Sequence, residues 1–383
     1  MPSTIPTMTQ SFDICIRGGG IVGRTLALLL ARERLRVGLV LHTPETPAHP
    51  TPQTVDVRAY ALNAKARALL ESLRCWPDAR HATEVSAMQV KGDDGGEVNF
   101  SAAALQVRGL TWIVDVPVLE AQLAEAVRYQ PLIELLDTPQ PATLTVICEG
   151  KASQTRAELG VNFAITRYPQ SALAARVSTD QLHGQTARQW FSKQDIVAFL
   201  PLEGPQGNAV AVVWSAPHAK AQALLAASPA DFCQQLDQAS EGCLGPLNLI
   251  SERAVWPLQK AQADHWTGRH AGQAWALAGD AAHNVHPLAG QGLNLGLADV
   301  ATLAALLRER GYWRTVDDAQ LLRRYERARK ADLLTTGAAM DGLQQLFSQD
   351  SAPWQAVRNW GMKGFERSGP IKQWVARQAM GFK

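Results

Sequence analysis

Six residues near the N-terminus, Gly18-Gly19-Gly20-Ile21-Val22-Gly23, constrain this chain more than any other feature. An apolar run at 12–16 (FDICI) precedes them, and residues 21–34 follow as a helix with Leu26, Leu29 and Leu30 on one side. A second apolar run, RVGLVL, stands at 36–41. Strand, glycine turn, helix and strand in that order form a βαβ unit, which demands a parallel sheet with helices packed on it. The spacing G-x-G-x-x-G adds a chemical meaning. Its glycines allow a tight turn and a close approach of backbone to a diphosphate, and the helix start offers free N–H groups and a partial positive charge. Gly18, Gly20 and Gly23 are therefore read as cofactor-binding. The alternative is a structural turn that only lets helix and strand pack.

Sites of this kind carry an acidic residue about 20 positions on, at the end of the second strand, to hold a ribose. Here that strand ends Val40-Leu41-His42, without a carboxylate. His42 is the candidate donor, with an exposed loop histidine as the alternative. Arg17 occupies a position that normally points into the core, where it either reaches a phosphate or marks a weakened site.

A length of 383 residues suggests two or three domains with a core large enough to need no disulfide or metal. Hydrophobic residues at 46% against 19% charged residues exclude a generally disordered chain. The 37 basic and 35 acidic residues nearly cancel, which argues against a nucleic-acid-coating protein. The cysteines at 15, 75, 148, 233 and 243 form no CxxC pair, so a reducing, cytoplasmic setting is expected, with no zinc site. The opening MPSTIPTMTQ lacks the pattern of a secretory signal, and apolar stretches such as Leu26–Ala31 fall far short of a membrane span.

Further along, the four prolines between Thr43 and Thr54 read as a loop. Leu62, Ala66, Leu69, Leu70 and Leu73 predict a helix over 62–73, and residues 117–128 predict another. Gly92 to Gly96 read as a hairpin turn. From about 160 to 215 short β segments recur, among them 195–202 and 208–215, followed by helices near 218–227 and 229–239. Residues 273–280 return to a buried strand, and the chain is then largely helical after Gly292.

The most specific stretch is 279–296, GDAAHNVHPLAGQGLNLG. With the first turn, it resembles the FAD-dependent aromatic hydroxylases typified by para-hydroxybenzoate hydroxylase, and within them the ubiquinone-biosynthesis hydroxylases. Arg58-Ala59-Tyr60-Ala61-Leu62 looks like the family's R-x-x-A-L segment, and residues 186–202, 340–347 and Ala379-Met380-Gly381 look like its middle sheet and last helices. The resemblance implies an α/β fold: a Rossmann-like FAD-binding domain, an interleaved β-sheet substrate domain and a helical C-terminal tail. The implied boundaries are 1–84, 110–158 and 268–315 for the FAD part, 85–109 and 159–267 for the β-rich part, and 316–383 for the tail.

The resemblance also implies site residues. Asp280 would accept hydrogen bonds from a ribityl hydroxyl, and Pro287, Gly290 and Gly292 would position the flavin, with a helix from near Leu293 aiming its positive end at the ring. Arg58, Gly279, Gln291 and Asn294 join the cofactor-binding set. The family's D-G-x-x-S-x-x-R motif, linked to both FAD and NAD(P)H, reads here from Glu149-Gly150 to Arg156, with glutamate in place of aspartate, and adds Glu149, Gly150 and Arg156 to that set. Leu41, Arg17 and the 15 residues of 129–143, a short connection for the family, are further departures. His283 and His286 are read as loop histidines rather than metal ligands.

The implied activity places one oxygen atom of O2 on an aromatic ring, with non-covalent FAD and NAD(P)H as co-substrate. Trp190, Phe191, Phe199, Trp214 and Trp256 are candidates for lining the substrate, with plain core packing as the alternative. Within 354–383, six basic residues and one acid accompany Ile371, Trp374, Val375, Ala379 and Phe382 on one helical face. That face suits a membrane interface or a partner in ubiquinone formation, or packs on the chain itself. The implied substrate is a prenylated aromatic precursor of ubiquinone. The alternatives are a soluble aromatic substrate, or a non-catalytic relative that binds partners or quinone intermediates.

Overall fold

The computed structural model describes residues 11–41, 57–92, 96–192, 195–284 and 291–348. The Pro-rich loop, His42, Pro287, Gly290, His286 and the 354–383 tail lie outside them.

The opening is the expected βαβ unit: β1 (Phe12–Arg17), α1 (Ile21–Arg32) and β2 (Val37–Val40), with the two strands parallel. β2 is buried throughout, as a strand covered on both faces must be. α1 buries residues on most of its circumference, because the sheet lies on one side and other helices on the other. β3 (Ala59–Leu62) then leads into α2 (Ala64–Ser72). Leu62 therefore ends a strand instead of opening the helix. Asn63 stops the helix from extending back, since its side chain accepts from Ala66 N at 2.9 Å as an N-cap.

Next come β4 (Ala82–Val85), the hairpin β5 (Ala87–Gly92) and β6 (Glu97–Ser101), the short α3 (Ala102–Leu105), β7 (Thr111–Asp115) and α4 (Val116–Arg128). In the short connection a single strand, β8 (Ile133–Leu136), is followed directly by β9 (Ala142–Ile147). α5 (Gln154–Glu158) precedes the 17-residue β10 (Phe163–Thr179), which is followed by β11 (Thr186–Phe191), β12 (Ile196–Pro201) and β13 (Ala209–Pro217). After α6 (His218–Ala226) and α7 (Pro229–Ala239) come β14 (Leu247–Leu249), β15 (Ala254–Ala263), β16 (Thr267–His270) and β17 (Gln273–Leu277). The two-residue β18 (His283–Asn284), α8 (Gln291–Arg308) and α9 (Ala319–Ser348) complete the described chain.

Three sheets organise these elements. A six-stranded sheet runs β16-β17-β9-β1-β2-β8, parallel except for β16 at its edge. A nine-stranded, mainly antiparallel sheet runs β18-β15-β10-β13-β12-β11-β5-β6, with β14 paired to β10. A small sheet, β3-β7-β4, is the third. The main core joins the six-stranded sheet to α1, α4, α8 and α9, and a second core lies under α6 and α7. The fold is α/β, with a Rossmann-like parallel sheet, an interleaved β-sheet and a helical C-terminal region. Among the described residues no helix is long and apolar enough to cross a membrane.

The structure corrects two local readings. The strand expected over 273–280 ends at Leu277, and Gly279–Ala281 form a single 3-10 turn because Gly279 adopts φ +63°. Between Leu277 and His283 the chain crosses from the six-stranded to the nine-stranded sheet. His283 is consequently no loop histidine. It pairs opposite Gln262 in β18 and is buried.

Candidate cofactor site

The carboxyl ends of β1, β9 and β17 lie side by side, where parallel sheets place ligands. Three turns leave from these ends. The first is the Gly18–Gly23 turn, whose glycines have different duties. A Cβ on Gly18 (φ +118°) would stand 2.4 Å from the Cys148 carbonyl oxygen, and one on Gly23 would stand 1.9 Å from that of Gly18. Both glycines let strand and helix pack at backbone distance. Gly20 differs: among the described residues a Cβ there would meet nothing within 4 Å. It is the N-cap of α1, which has neither a side-chain cap nor an acid in its first turn. Its free N–H groups thus face open space beside an uncovered positive dipole end.

The second turn is Cys148-Glu149-Gly150. Glu149 accepts from Ser153 Oγ at 2.7 Å, Thr155 Oγ1 at 2.6 Å and Thr155 N at 3.2 Å. Arg17 Nε lies 2.9 Å from Glu149 Oε1, the oxygen that also accepts from Thr155 Oγ1, as an ion pair whose N–H is not aligned for a hydrogen bond. Two of the four departures from the family pattern, Arg17 and Glu149, therefore meet each other. Gly150, at φ +80°, has open space where a Cβ would lie. Arg156 donates to the Ala281 carbonyl at 3.0 Å and the Lys151 carbonyl at 2.9 Å, over the Phe163 ring at 3.6 Å. It thereby holds the second turn against the third.

The third turn carries Gly279 and Asp280. A Cβ on Gly279 or on Gly296 of α8 would press on Val22, at 3.3 and 2.9 Å, so the first turn of α1, the Gly279 turn and α8 interlock. Burial raises the Asp280 carboxyl above its ordinary range, partly offset by Lys151. Among the described residues its side chain accepts one hydrogen bond, from Asn284 Nδ2, long at 3.4 Å. Such a carboxylate is short of donors, which hydroxyl groups would supply.

Beneath this turn lies a network that sequence reasoning missed. Asp299 of α8, fully buried, accepts from Gly279 N at 2.9 Å, pairs with His283 Nε2 at 2.7 Å and accepts from Arg329 Nε of α9 at 2.8 Å. Burial pushes the Asp299 carboxyl up, but His283 and Arg329 outweigh it and hold it below the ordinary value. His283 stacks on Trp266 at 4.9 Å, and Tyr325 donates to the Leu277 carbonyl at 2.8 Å. The signal for Asp299 was a lone carboxylate inside the apolar run of 291–308. Arg329 stands in a run of charges that gave none.

The remaining predicted residues have these surroundings. Arg58 lies 3.7 Å from Glu120, and its carbonyl accepts from Arg176 at 3.3 Å. The Asn294 amide is engaged by protein, donating to the Ala61 carbonyl at 2.7 Å and accepting from Asn63 N at 2.9 Å. α8 starts at Gln291, two residues before the expected Leu293, and Gly292 in its first turn has open space around a would-be Cβ. Leu41 stands where the ribose carboxylate was sought, and its side chain lies 2.7 Å from a Cβ built on Gly19. Trp190, Phe199 and Trp214 are buried in the second core with Phe232 and Leu236, the plain core packing given above as the alternative. Trp256 is exposed and Phe191 half-buried.

An uncovered helix start with open glycine backbone suits a diphosphate, and a donor-poor carboxylate a polyhydroxyl chain. FAD presents both groups, so the residues present fit it and the arrangement defines a flavoprotein of the Rossmann-like class. Residues 140–333, just over half the chain, match the FAD-binding domain family, and the chain belongs to it. The 3-demethoxyubiquinol 3-hydroxylase of Escherichia coli K12 is 30% identical, over 97% of this chain and 99% of its own. The ubiquinone hydroxylase UbiL of Rhodospirillum rubrum is also 30% identical, over 96% and 89%. The crystal structure of p-nitrophenol 4-monooxygenase PnpA from Pseudomonas putida shares the fold, with a TM-score of 0.73, 18% identity and coverage of 97% and 99%. The protein is an FAD-dependent monooxygenase of the aromatic-hydroxylase group.

Proposed function

We propose that this enzyme hydroxylates the aromatic ring of a prenylated ubiquinone precursor, using NAD(P)H and O2. The observation that carries this reading is the meeting of the three turns at one place, in a chain similar to two ubiquinone hydroxylases over nearly its whole length. FAD, when bound, supplies the electron transfer from nicotinamide to oxygen. The protein's part is binding and orientation. Gly20 and the first N–H groups of α1 hold the diphosphate, while Gly18 and Gly23 set the turn. Asp280 accepts from the ribityl hydroxyls. Gly292 at the start of α8, with Gln291, Pro287 and Gly290, positions the ring, and Gly150 borders the same space. Arg156 and Asp299 act as positioning residues, since they hold the Gly279–Ala281 turn rather than the cofactor.

The proposal extends to organisation and place. The six-stranded sheet supports an FAD-binding part over 1–84, 110–158 and 268–315, and the nine-stranded sheet a substrate part over 85–109 and 159–267. A prenylated precursor resides in the bilayer, so the enzyme works in the cytoplasm at the inner face of the membrane, beside other enzymes of ubiquinone formation.

The test is a deletion strain complemented with the wild-type gene or with Asp280→Ala, its quinones and precursors measured by mass spectrometry. A precursor lacking one ring hydroxyl is expected to accumulate without the wild-type gene. Full restoration by a stably expressed Asp280→Ala protein would sink the reading, as would purified protein that cannot be loaded with FAD.

A further inference from the structure

Away from the cofactor site, a cleft of about 1160 Å³ opens between the end of α8, the connection 309–318, the first turns of α9 and the β16–β17 hairpin. Seven basic side chains line it against three acidic ones. The acids are already engaged. Asp317 pairs with Arg269 at 2.6 Å, Glu326 with Lys330 at 2.6 Å, and Glu309 lies 3.7 Å from Arg308. Arg314 is held by Asp318 at 2.9 Å, and Arg310 donates to the Leu307 carbonyl at the end of α8. Arg323, Arg324 and Arg327 remain, exposed on α9 and without a carboxylate partner among the described residues. Three unneutralised guanidinium groups at one cleft are a strong local anion field, in a chain whose net charge is only +2.

A second observation adjoins the first. Tyr312 is 97% exposed and Trp313 70% exposed, their rings edge-to-face at 5.1 Å. Both stand in the connection that lines the cleft, and the Trp313 ring lies over Gly311, 2.9 Å from where a Cβ would be. Two large rings in water cost free energy that a soluble ligand in the cleft would not recover. Tyr and Trp beside arginines instead match the headgroup layer of a bilayer, where the rings are half-wetted and the cations meet phosphates.

We propose that the Tyr312–Trp313 tip and Arg323, Arg324 and Arg327 form a docking surface for a bilayer containing anionic phospholipid. The rings enter the headgroup layer and the guanidinium groups meet lipid phosphates. This deepens the membrane-side part of the function proposed above, but uses no residue of the cofactor site, so the two readings fail separately.

The experiment is flotation of the full, FAD-loaded chain with vesicles of phosphatidylcholine alone or mixed with phosphatidylglycerol. Binding is expected only to the mixed vesicles, and raised salt should weaken it. The triple variant Arg323→Gln/Arg324→Gln/Arg327→Gln should bind about a hundredfold more weakly, at roughly fivefold per arginine. Trp313→Ala should bind about tenfold more weakly. Both variants should retain FAD and the wild-type melting temperature. Failure of the wild-type chain to float at low salt, equal binding to both vesicle types, or undiminished binding by the triple variant would each overturn the proposal. So would calorimetric binding of inorganic pyrophosphate, lost in the triple variant, by a wild-type chain that does not float, which would reveal a soluble-anion site instead.

Discussion

The first and third turns of the cofactor site face each other across Val22, yet they are held by opposite means. The N-terminal turn is shaped by backbone packing: Gly18 and Gly23 leave no room for a methyl group against the carbonyls of Cys148 and Gly18, and the Arg17–Glu149 pair leaves Arg17 partly in water. The Gly279–Asp280 turn hangs on charge. Asp299 and Arg329, both buried, come from two helices and reach it through Gly279 N and His283. A turn set by close packing is intolerant of volume. A turn set by a buried ion network is intolerant of losing a partner, and accepts joint replacement by apolar groups more readily.

The sharpest way to break this contrast is Asp299→Ala. It removes the buried carboxylate that His283 and Arg329 share, leaving Arg329 only the exposed Asp332, and the loss expected in denaturant unfolding is about 3–5 kcal/mol. The double variant Asp299→Leu/Arg329→Met should recover much of that loss. A single-variant loss below about 1 kcal/mol would show that water reaches the network. Gly18→Ala comes next, at about 3 kcal/mol, because a Cβ would meet a backbone carbonyl in a positive-φ conformation. Thermal melting measures it, and no compensating partner exists to rescue it.

Asp280→Asn should weaken FAD binding by about 1.5–3 kcal/mol, the scale of a hydrogen bond to a charged group, in titrations of the apoprotein. It carries a pH signature as well. Burial raises the folded carboxyl above its unfolded value. The folded apoprotein therefore binds this proton more tightly, and stability present at low pH is lost as pH rises through the raised value. The asparagine variant should lack that decline, and an unchanged pH profile would count against a raised Asp280 carboxyl. The smallest effect on stability belongs to Gly20→Ala, within about 0.5 kcal/mol, since its Cβ enters open space. Flavin retention should nevertheless fall, by about tenfold if the methyl group displaces a diphosphate hydrogen bond. Unchanged flavin content would make the turn structural only.

What the sequence made legible follows the range of the interactions. The βαβ opening is local, so glycine spacing and two apolar runs sufficed for it. The meaning of each glycine was not legible, because Gly18 is fixed by Cys148, 130 positions away. Leu62 was misplaced because leucine suits both a helical stripe and the end of β3, and only the Asn63 cap decides between them. His283 looked like a loop residue because the two-residue β18 is too short to show periodicity. Arg17 and Glu149 each looked anomalous alone. Their pairing required knowing that β1 and β9 are neighbours.

The strand order of the six-stranded sheet also governs how the enzyme is made. β9 pairs with β1 on one side, and its other edge waits for β17. Residues 148–272, including most of the nine-stranded sheet, must be synthesised first. At about 5–20 residues per second, that wait lasts roughly 6–25 s on the ribosome. Throughout it the edge from Ala142 to Ile147 lacks its second neighbour and is open to pairing with another nascent strand. A chain stalled or truncated before β17 is thus expected to be an aggregation hazard.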